Sequence, residues 1–177
     1  MTSELRVDKI IPTTGVPTGG AGGVIQVVGT QNTTQVSTTT TLLNNPVDSG
    51  MSVTITPKFA TSKILIMVNA SMRGDGNNAY VNAMIKRNGT LINYSNCPDD
   101  GMLDYAINFT AGNSSWNFFD SPNSTSALTY GFFFSRYGGS GTAYFNNNGN
   151  HYSCSTMTAM ELSCLLYTSD AADDSIR

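Results

Sequence analysis

The dipeptide Asn88-Gly89 constrains this chain more than any other feature. It sits between two runs suited to an extended backbone, Tyr80 to Arg87 and Thr90 to Ser95. The tight turn that best matches strand twist needs positive φ at both central positions. Glycine reaches that region freely and asparagine at little cost. The spacing therefore predicts a β-hairpin over 80–95. Similar grammar surrounds it. Met51, Val53 and Ile55 alternate with Ser52, Thr54 and Thr56, the pattern of a half-buried strand. Lys63 to Met72 opens as KILIMV, apolar on both sides, which suits the centre of a sandwich or a subunit interface. Strands are also predicted over Val24 to Val28, Tyr105 to Thr110, Ser115 to Phe119, Ala127 to Arg136, Thr142 to Asn146 and Ser155 to Leu162. Thr30 to Thr41 is Thr-dense and reads as an edge or interface segment. Roughly nine or ten strands at this spacing predict an all-β sandwich or barrel.

Composition agrees. Charged residues make up 12%, about half the usual ~25%. Thr, Ser, Asn and Gly take their place, which favours strands and tight turns over helices. The net charge of −3, with no run of Lys or Arg, argues against binding nucleic acid. No apolar run is long enough to insert in a membrane. The opening MTSELRVDK lacks the layout of a secretory signal, so synthesis in a cytoplasm is expected.

Chemistry-bearing motifs do not assemble, and no enzyme activity, metal or cofactor is expected. Gly19, Gly20, Gly22 and Gly23 are followed by Val24-Ile25-Gln26-Val27-Val28, a strand, and not by the Lys and helix of a phosphate loop. They read as a flexible joint or as a place of close packing. Ser140 lies among glycines, but Thr142 breaks the nucleophile-elbow pattern. Asp99, Asp100 and Asp104 lack calcium-loop spacing, and His151 is the lone histidine. No two acids stand out as a glycosidase pair. Arg73-Gly74-Asp75 matches the integrin tripeptide but is also an ordinary turn, and it is placed in a loop over 73–78. Trp116, Tyr137 and Tyr152 could stack on sugar faces, although Trp116 also fits a sandwich core.

The two ends differ from the body. Leu5, Val7, Ile10 and Ile11 form a short apolar pattern broken by Pro12 and Pro17, so residues 3–17 are expected to lie extended against a partner. Cys164 to Asp174 resembles the in-frame translation of a transposase-type sequencing adaptor. The expected division is an attachment segment and joint over 1–23, a head over 24–162, and an adaptor-derived tail over 163–177.

SELRVDKIIPTTG, then the glycine run, then VIQVV, resembles the opening of tail-fibre-type virion proteins of marine bacteriophages. TPKFATSKILIMVNAS, IKRNGT and the closing STMTAMEL are similar to their bodies. The resemblance implies a homotrimeric virion component with a jelly-roll head akin to tumour-necrosis-factor-like and complement heads. Partners would be other copies, other virion or tail proteins through residues 3–17, and a bacterial surface glycan or protein. A secreted carbohydrate-binding module is the alternative.

If every strand from Lys63 onward reverses direction, loops 73–78, 96–103, 120–126 and 147–154 share one end. Asn88-Gly89, loops 111–114 and 137–141, and the close of the last strand share the other. Recognition is usually carried by loops on a rigid scaffold. The candidate receptor or glycan contacts are accordingly Asn78, Asp99, Asn123, Asn148, His151 and Tyr152. The same count brings Cys97 and Cys154 to one end, where a disulfide is possible, although cytoplasmic assembly favours free thiols.

Overall fold

The computed structural model describes residues 23–41, 46–75, 80–92, 102–104, 111–137, 139–148 and 151–163. Among them no helix occurs, and the strands are β1 (Val24–Asn32), β2 (Val36–Thr38), β3 (Val47–Ile55), β4 (Lys63–Asp75), β5 (Tyr80–Arg87), β6 (Thr90–Leu91), β7 (Met102–Asp104), β8 (Ala111–Asp120), β9 (Leu128–Tyr137), β10 (Thr142–Phe145), β11 (Asn147–Asn148), β12 (His151–Tyr152) and β13 (Ser155–Leu162).

Three pairs of strands run end to end as interrupted lines. β1 and β2 follow β13 and β10 along one edge. β6 and β7 both pair with β5. β10 and β13 pair with successive parts of β4, Asp75 to Met72 and then Asn69 to Lys63. Eight strand lines result: β1/β2, β3, β4, β5, β6/β7, β8, β9 and β10/β13. The first pairs with the eighth, the second with the seventh, the third with the sixth and the fourth with the fifth. That is one long antiparallel ribbon folded back on itself. Rolling it sets the eighth line beside the third and the seventh beside the fourth. The sheets are β1/β2–β10/β13–β4–β8 and β3–β9–β5–β6/β7, which is jelly-roll connectivity.

Alternation decides what lies between the sheets. The first contributes Ile64, Ile66, Val68, Met72, Phe118, Phe145 and Met157; the second contributes Met51, Val53, Ile55, Val81, Ile85, Tyr130, Phe132 and Phe134. Phe132 bridges the layers, 5.7 Å centroid to centroid from Trp116 and from Phe145. Burying each such side chain is worth about 1.5–3 kcal/mol. The predicted turn has the expected backbone, with φ of 49° at Asn88 and 82° at Gly89. The Asn88 side chain adds a hydrogen bond, Oδ1 accepting from Thr129 N at 2.8 Å.

Two local readings are corrected. Ala111-Gly112-Asn113 is no turn: β8 pairs with β4 without a break from Arg73↔Ala111 to Ile64↔Asp120. A long partner strand overrides a weak local turn signal here. Arg73-Gly74-Asp75 is no loop, because Gly74 is buried within β4 and faces Ala143 of β10. The tripeptide is therefore not presented at a loop tip.

These corrections rearrange the ends. We call the end holding Gly23 and Ser163 the near end; each donates its backbone N–H to the other residue, Gly23 to the Ser163 hydroxyl and Ser163 to the Gly23 carbonyl, both at 2.9 Å. β8 runs toward the near end, so 121–127 lies there beside Asn88-Gly89, and 139–141 lies at the far end beside Asp75. This reverses the expected placement of 111–114, 120–126 and 137–141. β13 nevertheless closes at the near end as expected, because two miscounts cancel. One reversal fewer occurs at residue 111, and the line β10/β13 continues past residues 147–154 without turning back.

Candidate recognition surface

The near end is held by buried polar groups. Glu161 follows Met157 and Ala159 on the inner side of β13 and is fully buried. Its Oε1 accepts from Lys58 N at 2.7 Å, Phe59 N at 3.3 Å and the Ser62 hydroxyl at 2.7 Å. Its Oε2 accepts from Gln26 Nε2 at 2.6 Å, and that amide also donates to the Thr56 carbonyl at 2.7 Å. One carboxylate thus fastens β1, β13 and the β3–β4 connection together. Charge-assisted hydrogen bonds of this kind are the strong ones.

A second group joins the sheets. Arg87 Nη1 of β5 lies 2.8 and 2.7 Å from the carboxylate oxygens of Asp120 in β8. The buried Tyr130 hydroxyl of β9 donates to Asp120 Oδ2 at 2.7 Å. Burial, and then the hydrogen bond to Asp120, push the Tyr130 phenol above its ordinary value. The unfolded chain releases that proton near pH 10 while the folded chain keeps it. The folded state then holds more protons, so stability is intact below about pH 10 and falls above it, at about 1.4 kcal/mol per pH unit. Subtracting the alkaline unfolding profile of Tyr130→Phe from that of the native protein is expected to leave this slope; superimposable profiles would contradict the assignment.

The break in the β10/β13 line has its own lock. Asn146 is fully buried with φ of 55°. Its Nδ2 donates to the carbonyl of Asn32 at 2.8 Å and approaches Asn32 Oδ1 at 3.2 Å and the Thr34 carbonyl at 3.3 Å. Its Oδ1 accepts from the Ser155 hydroxyl at 2.5 Å, and its backbone N donates to the Ser71 carbonyl at 2.9 Å. The gap in β1/β2 at 33–35 and the gap in β10/β13 therefore face each other and share one amide. From this base the β11–β12 hairpin emerges, pairing Asn147 with Tyr152 and Asn148 with His151.

The six residues expected to meet a receptor do not form one group. Asn148, His151 and Tyr152 belong to the hairpin. Asn123 is exposed, with φ of 50°, in the near-end loop, away from the end expected for it. Asn78 and Asp99 lie outside the described residues, as does Cys97. Cys154 is exposed, and its sulfur accepts a hydrogen bond from Gln31 Nε2 at 2.8 Å. Trp116 is half-buried against Phe132, on the core side of β8. At the far end Arg73 lies 4.5 Å from the centroid of the Tyr144 ring, and the Tyr144 hydroxyl donates to Asp75 Oδ2 at 3.3 Å.

Sequence reasoning missed Glu161 and Asn146. For Glu161 the signal was there: strand alternation puts it on the face of Met157 and Ala159. Asn146 reads as the last residue of a strand, and nothing in the Asn- and Gly-rich run that follows it marks its amide as buried.

No protein-family model matches the chain. No curated protein sequence matches it either. Among solved structures, the chain is similar to the infectious bursal disease virus Gx strain, with a TM-score of 0.39 and 13% identity over 86% of this chain and 43% of that one. It is also similar to the VP2 subviral particle of infectious bursal disease virus, at 0.40 and 15% over 77% and 39%. A third similarity, at 0.30 and 11% over 83% and 98%, is to the disulfide-linked pili of Bacillus endospore appendages. The chain spans less than half the length of the two viral proteins, and its jelly-roll connectivity stands on its own strand registers.

Proposed function

We propose that this chain is a non-catalytic virion structural protein of tail-fibre type. Its head associates as a trimer, residues 3–17 fasten it to neighbouring virion proteins, and its far end meets a glycan or protein on a bacterial surface. The observation that carries this reading is the rolled eight-line ribbon. That connectivity is one that viral shells and lectins use, and here it sets the entry of the head, Gly23, at the end opposite Gly139 to Gly141. The resemblance of the opening stretch to phage tail-fibre proteins supplies the particle.

Particle membership is tested by mass spectrometry of density-banded, nuclease-treated, virus-sized particles from the material that carries the gene. Peptides of this chain are expected in the particle band. Their recovery only from cells, or from the soluble secreted fraction, would overturn the proposal, and the secreted case would favour a carbohydrate-binding module.

A further inference from the structure

The two outer faces of the sandwich differ. On the second sheet, Asn82, Met84 and Ser135 are fully buried although they alternate with core residues, and Lys86 lies 4.4 Å from the Phe133 ring centroid. On the first sheet the outward residues line up in rows across the strands. Val24, Leu162 and Lys63 form the first row, and Val27, Met160, Leu65 and Phe119 the second. Gly29, Thr158, Met67 and Asn117 form the third, and Gln31, Thr156, Asn69 and Ser115 the fourth. Lys63 is the only charged residue in these rows. Val24 is 56% exposed, Val27 53% and Phe119 59%. A soluble surface ordinarily carries charge on about a quarter to a third of its residues, and the cores of interfaces are the surfaces depleted of it.

We infer that this face, centred on the Val27–Met160–Leu65–Phe119 row, seats a second copy of this chain. The inference rests on the proposed self-assembling virion role and assigns the surface that role would use. Charge selects the occupant. A charged partner would bury its own charges unpaired against rows whose single charge is Lys63, at a cost, whereas another copy of this chain brings a surface equally poor in charge. Area is consistent with this. Four strand lines at about 4.8 Å spacing and four rows at about 6.7 Å give roughly 500 Å², most of the ~800 Å² per partner of a standard interface.

The test is sedimentation velocity of the full chain up to about 100 μM, a range that reveals even weak association. The native chain is expected to sediment as a multiple of its 18.9 kDa mass. The Val27→Lys/Phe119→Lys pair should sediment as a monomer with an unchanged β circular-dichroism spectrum. The milder Val27→Thr/Phe119→Ser pair, chosen to preserve folding, should weaken association at least about tenfold. The control Ser52→Lys/Thr54→Lys, on exposed positions of the second sheet, should associate as the native chain does. A monomeric native chain, native-like association of the Thr/Ser pair, or equal dissociation of the control would each overturn the assignment. A monomeric native chain would also overturn the trimeric head, whereas the other two results would overturn only the surface assigned here; none of them touches the detection of particle peptides.

Discussion

Replacing Glu161 by alanine is expected to destabilise the fold by about 3–5 kcal/mol, because four donors lose a buried charged acceptor at once. For a chain of this size that lowers the melting temperature by roughly 10 °C. Glu161→Gln keeps the shape and one acceptor oxygen but turns an NH₂ group toward donors, so it should lose about half as much. The damage should be local in origin. Amide exchange at Lys58 and Phe59 should accelerate before that of the β4–β8 ladder, since both amides lose their acceptor directly. An unchanged melting temperature in the alanine variant would show that this carboxylate does not hold the near end.

Asn146 is the second point where one residue controls much. Two properties meet there: a left-handed backbone, and an amide that ties β1/β2 to β10/β13. Asn146→Gly removes only the second, and is expected to cost about 2 kcal/mol. Asn146→Ala loses the amide as well and, unlike glycine, keeps a Cβ in the left-handed region without asparagine's tolerance of it, so it should lie about 1 kcal/mol below the glycine variant. The order of stability should be native, glycine variant, alanine variant, read from denaturant midpoints. Equal midpoints for glycine and alanine would mean that the backbone is not held left-handed in solution.

The sequence made the architecture legible wherever alternation was clean. Met51, Val53 and Ile55 face the core as their spacing requires. Asn88-Gly89 forms the expected left-handed turn. The two-sided apolar run KILIMV divides as alternation demands, with Ile64 and Ile66 inside and Leu65 and Met67 on the outer face of the same sheet. The run reads as the centre of a sandwich or a subunit interface, and β4 lies inside its sheet, between β10/β13 and β8. What failed were the places where pairing outweighs local preference. Gly112 sits in a region that looks like a turn, yet its partner Met72 belongs to a thirteen-residue strand that keeps the ladder going. Gly74 looks like a loop glycine and is buried within β4, paired with Ala143 of β10, for the same reason. Counting reversals then misplaced four loops, and with them Asn123, Asn148, His151 and Tyr152: the segment expected at the far end over 147–154 leaves the β10/β13 line midway along β4, between Met72 and Asn69. The β11–β12 hairpin could not be told from a simple connection, because nothing in Asn147 to Cys154 reveals that the strands on either side are collinear. That fact belongs to β4, which pairs with both.

In the proposed assembly the near end faces the particle and the far end faces outward. Antibody fragments raised against the Gly139–Gly141 connection and against the Pro57–Ser62 connection can be applied to intact particles and imaged by immunogold electron microscopy. The far-end fragment is expected to label them, and the near-end fragment only after the particles are disrupted. Labelling of intact particles by the near-end fragment alone would contradict the account.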